Sequence, residues 1–405
     1  MRAKTAPCYL FQVVIAIFTG NHGTLNKKGM DCMEKIDQSL LDKYGRLLSL
    51  DFYRGITMFL LVAEGAGLWF AVVEPYFEGT IISTIGTQFH HHPWNGLRFW
   101  DLVQPFFMFI VGVAMPISFG KRWARGDSWG TTFQHAVYRS FVLLALGLTL
   151  HCIYAGELVF ELWNVLSQLS FTYLLAFLIM RKSWKFQIGF SVGLLVLTEL
   201  LYRLWSVDGF SQPFTPDKNF GAWMDLLLMG KLSGGHWVAV NAIPTAAHTI
   251  WGVIAGQLLI SNRETTEKIK KLLIFGIGLV VMGYALDPVT PIIKRIATTS
   301  FTIVSGGWCL LVLAGSFYLF DVKKISTDTG RVLAGVGMNP LFIYLFSELG
   351  GVDWFYDMVE VFTKGPLGAI ALPGAWIDVI TSLIVLWMMW YMTYFLYKRK
   401  IFISI

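Results

Sequence analysis

The stretch from Phe89 to Phe107, FHHHPWNGLRFWDLVQPFF, concentrates the side chains best suited to chemistry. It places three histidines, Asn95 and Asp101 directly before an apolar run. Imidazole accepts and releases a proton, or an acyl group, near neutral pH. A carboxylate such as Asp101, folded back onto the ring, would fix its tautomer and stabilise the imidazolium that forms during reaction. Spacing alone leaves three readings open. His90 and His92 would point the same way in an extended segment and could hold a metal, although no partner set of Cys, His or acidic residues stands at a recognised spacing. The run could be a solvated loop, or it could contact substrate and catalyse.

Other polar residues carry weaker signals. Asp51 and Arg54 lie three apart on one helix face, as an ordinary interfacial pair would. Lys294 and Arg295 stand where basic residues are disfavoured, so an anionic sugar or a lipid headgroup is a candidate partner. Asn339 and Tyr344 suit hydrogen bonding between helices, and Gly252 with Gly256 suits close helix packing. His248 reads as a satisfied histidine inside a helix. Cys8, Cys32, Cys152 and Cys309 show neither CxxC nor framework spacing, and Cys152 beside His151 reads as a small hydrophobe.

The elements that must position these residues are apolar. The 405 residues are 55% hydrophobic and 14% charged, with a mean hydropathy of +0.58, where soluble chains run at about 25% charged. That composition excludes a soluble globular chain, intrinsic disorder and a disulfide-stapled fold. It describes an all-α, polytopic transmembrane bundle of about ten spans. Apolar runs predict helices over 56–76, 101–119, 134–153, 160–180, 186–204, 237–260, 271–286, 299–320, 332–350 and 375–397.

Most of the 32 lysines and arginines then fall at one set of helix ends, among them Lys121, Arg122, Arg125, Arg181, Lys182, Lys268, Lys271, Lys323 and Lys324. By the positive-inside rule those ends are cytoplasmic, and so are both termini. The net charge of +6 is therefore a topology signal, and nucleic acid is not an expected partner. The domain reading is 1–43 as a cytoplasmic or wrongly included leader, with Met30 and Met33 as alternative starts, followed by one membrane domain over 44–400.

The His91 segment resembles the signature of the heparan-alpha-glucosaminide N-acetyltransferase family and its bacterial relatives, carried by His91, Trp94, Asn95, Gly96, Asp101 and Pro105. The likeness extends to RLLSLDFYRG over 46–55, to Pro244, Gly252 and Gly256, to Lys294 and the run Thr298–Ser300, and to Asn339, Pro340 and Tyr344. The resemblance implies acetyl transfer from acetyl-CoA, through His91 alone of the three histidines, to an amino sugar or glycan across the membrane. It implies Asp101 as a partner of His91 and no metal. It adds Asn95, Asp51, Arg54, Lys294 and Asn339 as candidate substrate or cofactor contacts, with Arg54 a fork donor to a CoA phosphate. It further implies a multi-pass protein of a bacterial inner membrane, with a homodimer left open.

Two departures stand out. Gln168 replaces an arginine usual in relatives, and Glu64-Gly65 stands where relatives tend to carry Asn. Both bear on donor or acceptor identity. The competing function is an amino-sugar permease in which His91 and Asp101 bind substrate or protons. Paired inverted repeats with broken helices are not visible in the sequence.

Overall fold

The computed structural model describes residues 47–325, 337 and 339–403, and every regular element among them is helical. The leader reading of 1–43, Cys8, Cys32 and Arg46 lie outside the described residues. In chain order the α-helices are α1 (Leu48–Gly65), α2 (Leu68–Ala71), α3 (Ile81–Thr87), α4 (Val103–Ala124), α5 (Trp129–Ala155), α6 (Val165–Ile179) and α7 (Trp184–Leu204). They continue with α8 (Phe220–Met229), α9 (Ala242–Leu259), α10 (Thr265–Leu286), α11 (Thr299–Ser316), α12 (Pro340–Glu348), α13 (Gly351–Ala369) and α14 (Gly374–Lys398). A 3-10 turn, Phe99–Leu102, leads into α4, and a π-helical stretch, Phe317–Val322, prolongs α11.

Each predicted apolar run overlaps a helix, although residues 332–336 and 338 of the run over 332–350 lie outside the described residues, and the ends move. The first helix begins at Leu48 and stops at Gly65, because Gly67 turns into the left-handed region at φ 74°. Three described helices, α3, α8 and α13, occupy stretches that hydropathy leaves between the runs. Among the described residues six helices are long and apolar enough to cross a membrane: α4 with its leading turn, α5, α7, α10, α11 with its π extension, and α14. Of the other predicted spans, α6 has only 15 residues, and α1 carries Asp51, Arg54 and Glu64.

Local capping sets many helix starts. Ser128, Asn164, Ser183 and Asn219 each accept a hydrogen bond from the backbone N–H three residues on. The start of α1 is capped from a distance, since Asp321 accepts from Leu48 N at 3.0 Å and Ser49 N at 3.1 Å. That bond joins the first turn of α1 to the end of the α11 extension.

The bundle is built around α4. Phe106, Phe109, Ile110 and Val113 pack with Tyr53 of α1, Leu259 of α9 and Leu313 of α11. Between α4 and α9 the backbones touch: a Cβ on Gly112 would lie 2.1 Å from Thr249 O, and one on Gly252 would lie 2.1 Å from Phe109 O. Gly256 meets Val113 O in the same way, at 2.4 Å. Small residues therefore bring the two helices to backbone contact, the packing mode expected where lipid offers no hydrophobic drive. Peripheral helices show the opposite face. On α7, Ile188, Val192, Val196, Leu200 and Leu204 form an exposed stripe at four-residue spacing, a surface suited to hydrocarbon rather than water.

Replacing Gly252 by Ala should force α4 and α9 apart and lower stability by about 1–3 kcal/mol. Gly193→Ala, at a helical position with nothing within 4 Å, should leave it unchanged or slightly raised. Thermal melts of the purified variants in detergent check both; equal melting points would remove the glycine contact from the account of the bundle.

Candidate active site

The 90s loop is tied down before it presents any side chain. Gly96 N donates to Ile292 O at 2.8 Å, Trp100 N to Gln88 O at 2.9 Å, and Trp94 Nε1 to Phe214 O at 2.7 Å. Gly96 sits at φ 144°, and its missing Cβ is replaced by the His92 ring, which would lie 2.6 Å away. A side chain there would meet both an unfavourable backbone and an occupied space.

Asp101 organises the loop. It is 1% exposed, and its Oδ2 accepts from Arg98 N at 2.9 Å and His92 N at 3.3 Å. Its Oδ1 lies 3.0 Å from His91 Nδ1. Arg98 closes the turn by donating from Nη1 to His91 O at 3.1 Å. Two backbone donors thus hold the carboxylate, which in turn holds the ring.

The neighbouring histidines go elsewhere. His90 Nε2 pairs with Trp69 O at 2.9 Å, while the His92 ring packs on Gly96. The extended arrangement that would let His90 and His92 share a metal does not form, because the loop turns to wrap Asp101. Among the described residues no group of three His, Cys, Asp or Glu side chains is placed to hold a metal ion.

Lys294 arrives from 203 residues away, on the loop joining α10 and α11. Its Nζ lies 3.1 Å from His91 Nδ1 and 3.9 Å from Asp101 Oδ1, and its side chain is 7% exposed. The loop is held by Thr298 Oγ1, which accepts from Ile293 N at 3.0 Å and donates to Pro291 O at 2.7 Å. Trp237, just before α9, covers the group. Its ring centroid is 5.4 Å from that of His91, with Lys294 Nζ and Arg295 Cζ each 5.4 Å from it. At the end of α1, Glu64 accepts from Trp100 and faces the Lys294 charge.

Burial, reinforced by the Lys294 charge and opposed by Asp101, pushes the His91 imidazole down to about 4, so the ring is neutral at physiological pH. Burial also brings Lys294 down to about 8, against the pull of Asp101 and Glu64 and with a further push from Arg295. Among the described residues His91 Nε2 makes no hydrogen bond. A neutral imidazole with a carboxylate on Nδ1 and a free Nε2 can act as a base or as a nucleophile.

The other residues singled out in the sequence lie apart from this group. Asp51 and Arg54 are 3.6 Å from one another near the start of α1, and Arg54 Nη1 also reaches Gly337 O at 3.5 Å. Thirteen residues separate Asp51 from Glu64, about 20 Å along a helix, so this pair marks the opposite end of the bundle. Asn339 is fully buried, donates to Ile401 O at 3.0 Å and accepts from Ile403 N at 2.8 Å, tying down the C-terminal segment. Asn95 is exposed on the 90s loop. Gln168 is buried and accepts from Gln104, one helical turn below Asp101 on α4.

Elsewhere, His248 bonds Thr302 O at 3.1 Å and Ser305 Oγ at 2.9 Å, a packing role. Cys152 Sγ and the backbone of Val159 bond one another at 3.3 Å. Sequence reasoning missed Trp237, whose signal is its place after the Gly234-Gly235 turn. It also missed the meeting of His151 with Glu161 at 2.6 Å, where Lys231 adds its charge.

Residues 46–229 match a family described as a domain of unknown function (DUF5009), a range that includes the His91–Asp101 loop and excludes Lys294. Over 150 residues the chain is 29% identical to heparan-alpha-glucosaminide N-acetyltransferase of Mus musculus, covering 35% of this chain and 20% of that protein. Over 106 residues it is 32% identical to the protein of the same name in Homo sapiens, covering 25% of this chain and 13% of that one. The matched region thus spans a fifth or less of the length of these curated relatives. These likenesses relate the chain, at the level of family and over part of its length, to proteins named as N-acetyltransferases.

Proposed function

We propose that this chain is a membrane-embedded acetyltransferase that moves an acetyl group from cytosolic acetyl-CoA, by way of His91, to an amino sugar or glycan on the extracytoplasmic side. The observation that carries the reading is the His91 ring, which meets the buried Asp101 carboxylate at Nδ1 and makes no hydrogen bond from Nε2 among the described residues.

The chemistry follows from that arrangement. The Nε2 lone pair attacks the thioester carbonyl, the C–S bond breaks, and the sulfur leaves as thiolate. The ring now carries the acetyl group on Nε2 and the proton on Nδ1, with Asp101 balancing the positive charge. An acceptor amine attacks the acyl carbon, the C–Nε2 bond breaks, the amine loses one proton, and the imidazole lone pair returns. One hard displacement becomes two easier ones, and the acetyl group can change faces while CoA stays on the cytosolic side.

Topology supports the same reading. Glu64, His91, Asp101, Trp237 and Lys294 all sit at the end of the bundle formed by the C-terminus of α1 and the N-termini of α4, α9 and α11. Basic residues collect at the other end, where Arg122 Nη2 meets His135 Nε2 at 3.1 Å, Arg181 lies over Trp123, and Lys268 Nζ donates to Leu259 O at 2.7 Å. By the positive-inside rule that end is cytoplasmic, with both termini proposed there; the bacterial inner membrane is what the family resemblance implies. Arg54 then stands at the face from which a CoA phosphate would arrive.

A second reading, an amino-sugar permease, draws on the meeting of the buried Asp101 and Lys294 with the partly exposed His91 and Glu64, since such residues also serve proton relays. Incubating purified protein with acetyl-labelled acetyl-CoA separates the two. Wild type should retain covalent label and His91→Ala should not. Label persisting in the variant would sink the histidine route, and absent label with sugar uptake into liposomes would favour the permease.

Asp101→Asn should keep the fold and lower transfer by about 100-fold or more, through loss of the Nδ1 acceptor; turnover at the wild-type level would take Asp101 out of the site. A cysteine at Asn95 should react with an impermeant thiol reagent from outside intact cells. Reaction only after lysis would invert the topology.

A further inference from the structure

His91 Nδ1 has one bonding position in the plane of the ring, either a lone pair or a proton. Two neighbours compete for it. Asp101 Oδ1, at 3.0 Å, is an acceptor and requires Nδ1–H. Lys294 Nζ, at 3.1 Å, is a donor when charged and requires the Nδ1 lone pair. Both cannot be satisfied at once, and the ammonium lies closer to Nδ1 than to Asp101 Oδ1, at 3.1 Å against 3.9 Å.

We infer that Lys294 is a positioning residue that decides which nitrogen of His91 carries the proton, holding the ring in an idle tautomer until its own ammonium proton is lost. While Lys294 is charged it donates to Nδ1, so the neutral ring keeps its proton on Nε2, the atom that must attack. The ring is then no nucleophile. Arming removes one proton overall. Lys294 passes its proton to Nδ1, the Nε2 proton leaves to solvent, and Nδ1–H turns to Asp101 with Nε2 bare and Lys294 neutral. The consequence for turnover rests on the acyl-transfer reading above; the tautomer itself does not.

The charges that set the balance come from each packed element. Asp101, from the turn before α4, and Glu64, from α1, favour the charged lysine, while the adjacent Arg295 disfavours it. Arg98 is engaged with the His91 carbonyl, and Trp237 covers the ring and both cations. Burial sets the lysine near 8, so a modest change in its surroundings during substrate binding shifts the idle and armed populations.

The test combines spectroscopy and kinetics. In protein labelled with 15N-histidine, with the His91 signals assigned by their loss in His91→Gln, Nε2 should pass from the protonated to the unprotonated signature as pH rises through about 8. In Lys294→Met, Nδ1 has only Asp101 left, and Nε2 should be unprotonated from a lower pH upward. In the kinetics, the rising limb of kcat against pH should move down from about 8 toward the ordinary histidine range in Lys294→Met. Lys294→Arg, which cannot lose its proton, should lower kcat roughly tenfold or more with little change in KM. A His91 tautomer that is the same in wild type and Lys294→Met at every pH overturns the inference, as does full activity in Lys294→Arg. Tautomer switching as expected in a protein that never becomes acetylated would instead overturn the acyl-transfer reading and leave the role of Lys294 standing.

Discussion

A single buried carboxylate constrains the rest of this site. Asp101 lies at the mouth of α4, almost fully removed from solvent, and a charge in that position must be surrounded by donors or it will not stay charged. Arg98 N and His92 N supply two, His91 Nδ1 at 3.0 Å supplies a third once it carries the proton, and Lys294 Nζ stands 3.9 Å from Oδ1. The need to satisfy one group therefore bends the 90s loop, orients one histidine out of three, and draws in a lysine from a distant loop.

The surroundings of that carboxylate are held by helix packing rather than by loop strength. α4 carries Asp101 at its start and the glycine contact with α9 at its middle, so the backbone contact at Gly112 and Gly252 sets where Asp101 stands relative to Trp237 at the start of α9. α9 in turn packs on α11, whose leading loop carries Lys294. Packing at this density transmits position with little slack. A polar group at the lipid boundary thus acquires tolerances set in the interior of the bundle.

The same packing separates the molecule into two ends with different chemistry. One end gathers His91, Asp101, Lys294, Glu64 and Trp237, and the other gathers Asp51, Arg54, Asp321 and most of the basic residues. Under the proposed acyl transfer, this separation would set the Arg54 charge at one face and His91 Nε2 toward the other. Gln168 and Gln104, near the starts of α6 and α4, pair one turn below Asp101, so the departure from the arginine usual in relatives falls at the same end of the bundle as His91.

What the sequence by itself determined was the helical class and the local half of the site. Apolar runs long enough for lipid are legible in any one stretch, because the length of a membrane helix is set by the bilayer and not by its neighbours. His91 and Asp101 are likewise ten residues apart, within reach of one turn. Helix ends were less legible. Gly67 and the distant Asp321 cap decide where α1 stops and starts, and α3, α8 and α13 form in stretches that hydropathy passes over. The tertiary structure alone decided that Lys294, Trp237 and Glu64 join His91, that His90 and His92 do not, and that Asn339 holds the C-terminal segment instead. The physical reason is that burying a charge selects its partners by proximity in space, and that proximity is created by helices packing through positions, such as Gly112 on Gly252, that carry no chemical signal of the site they assemble.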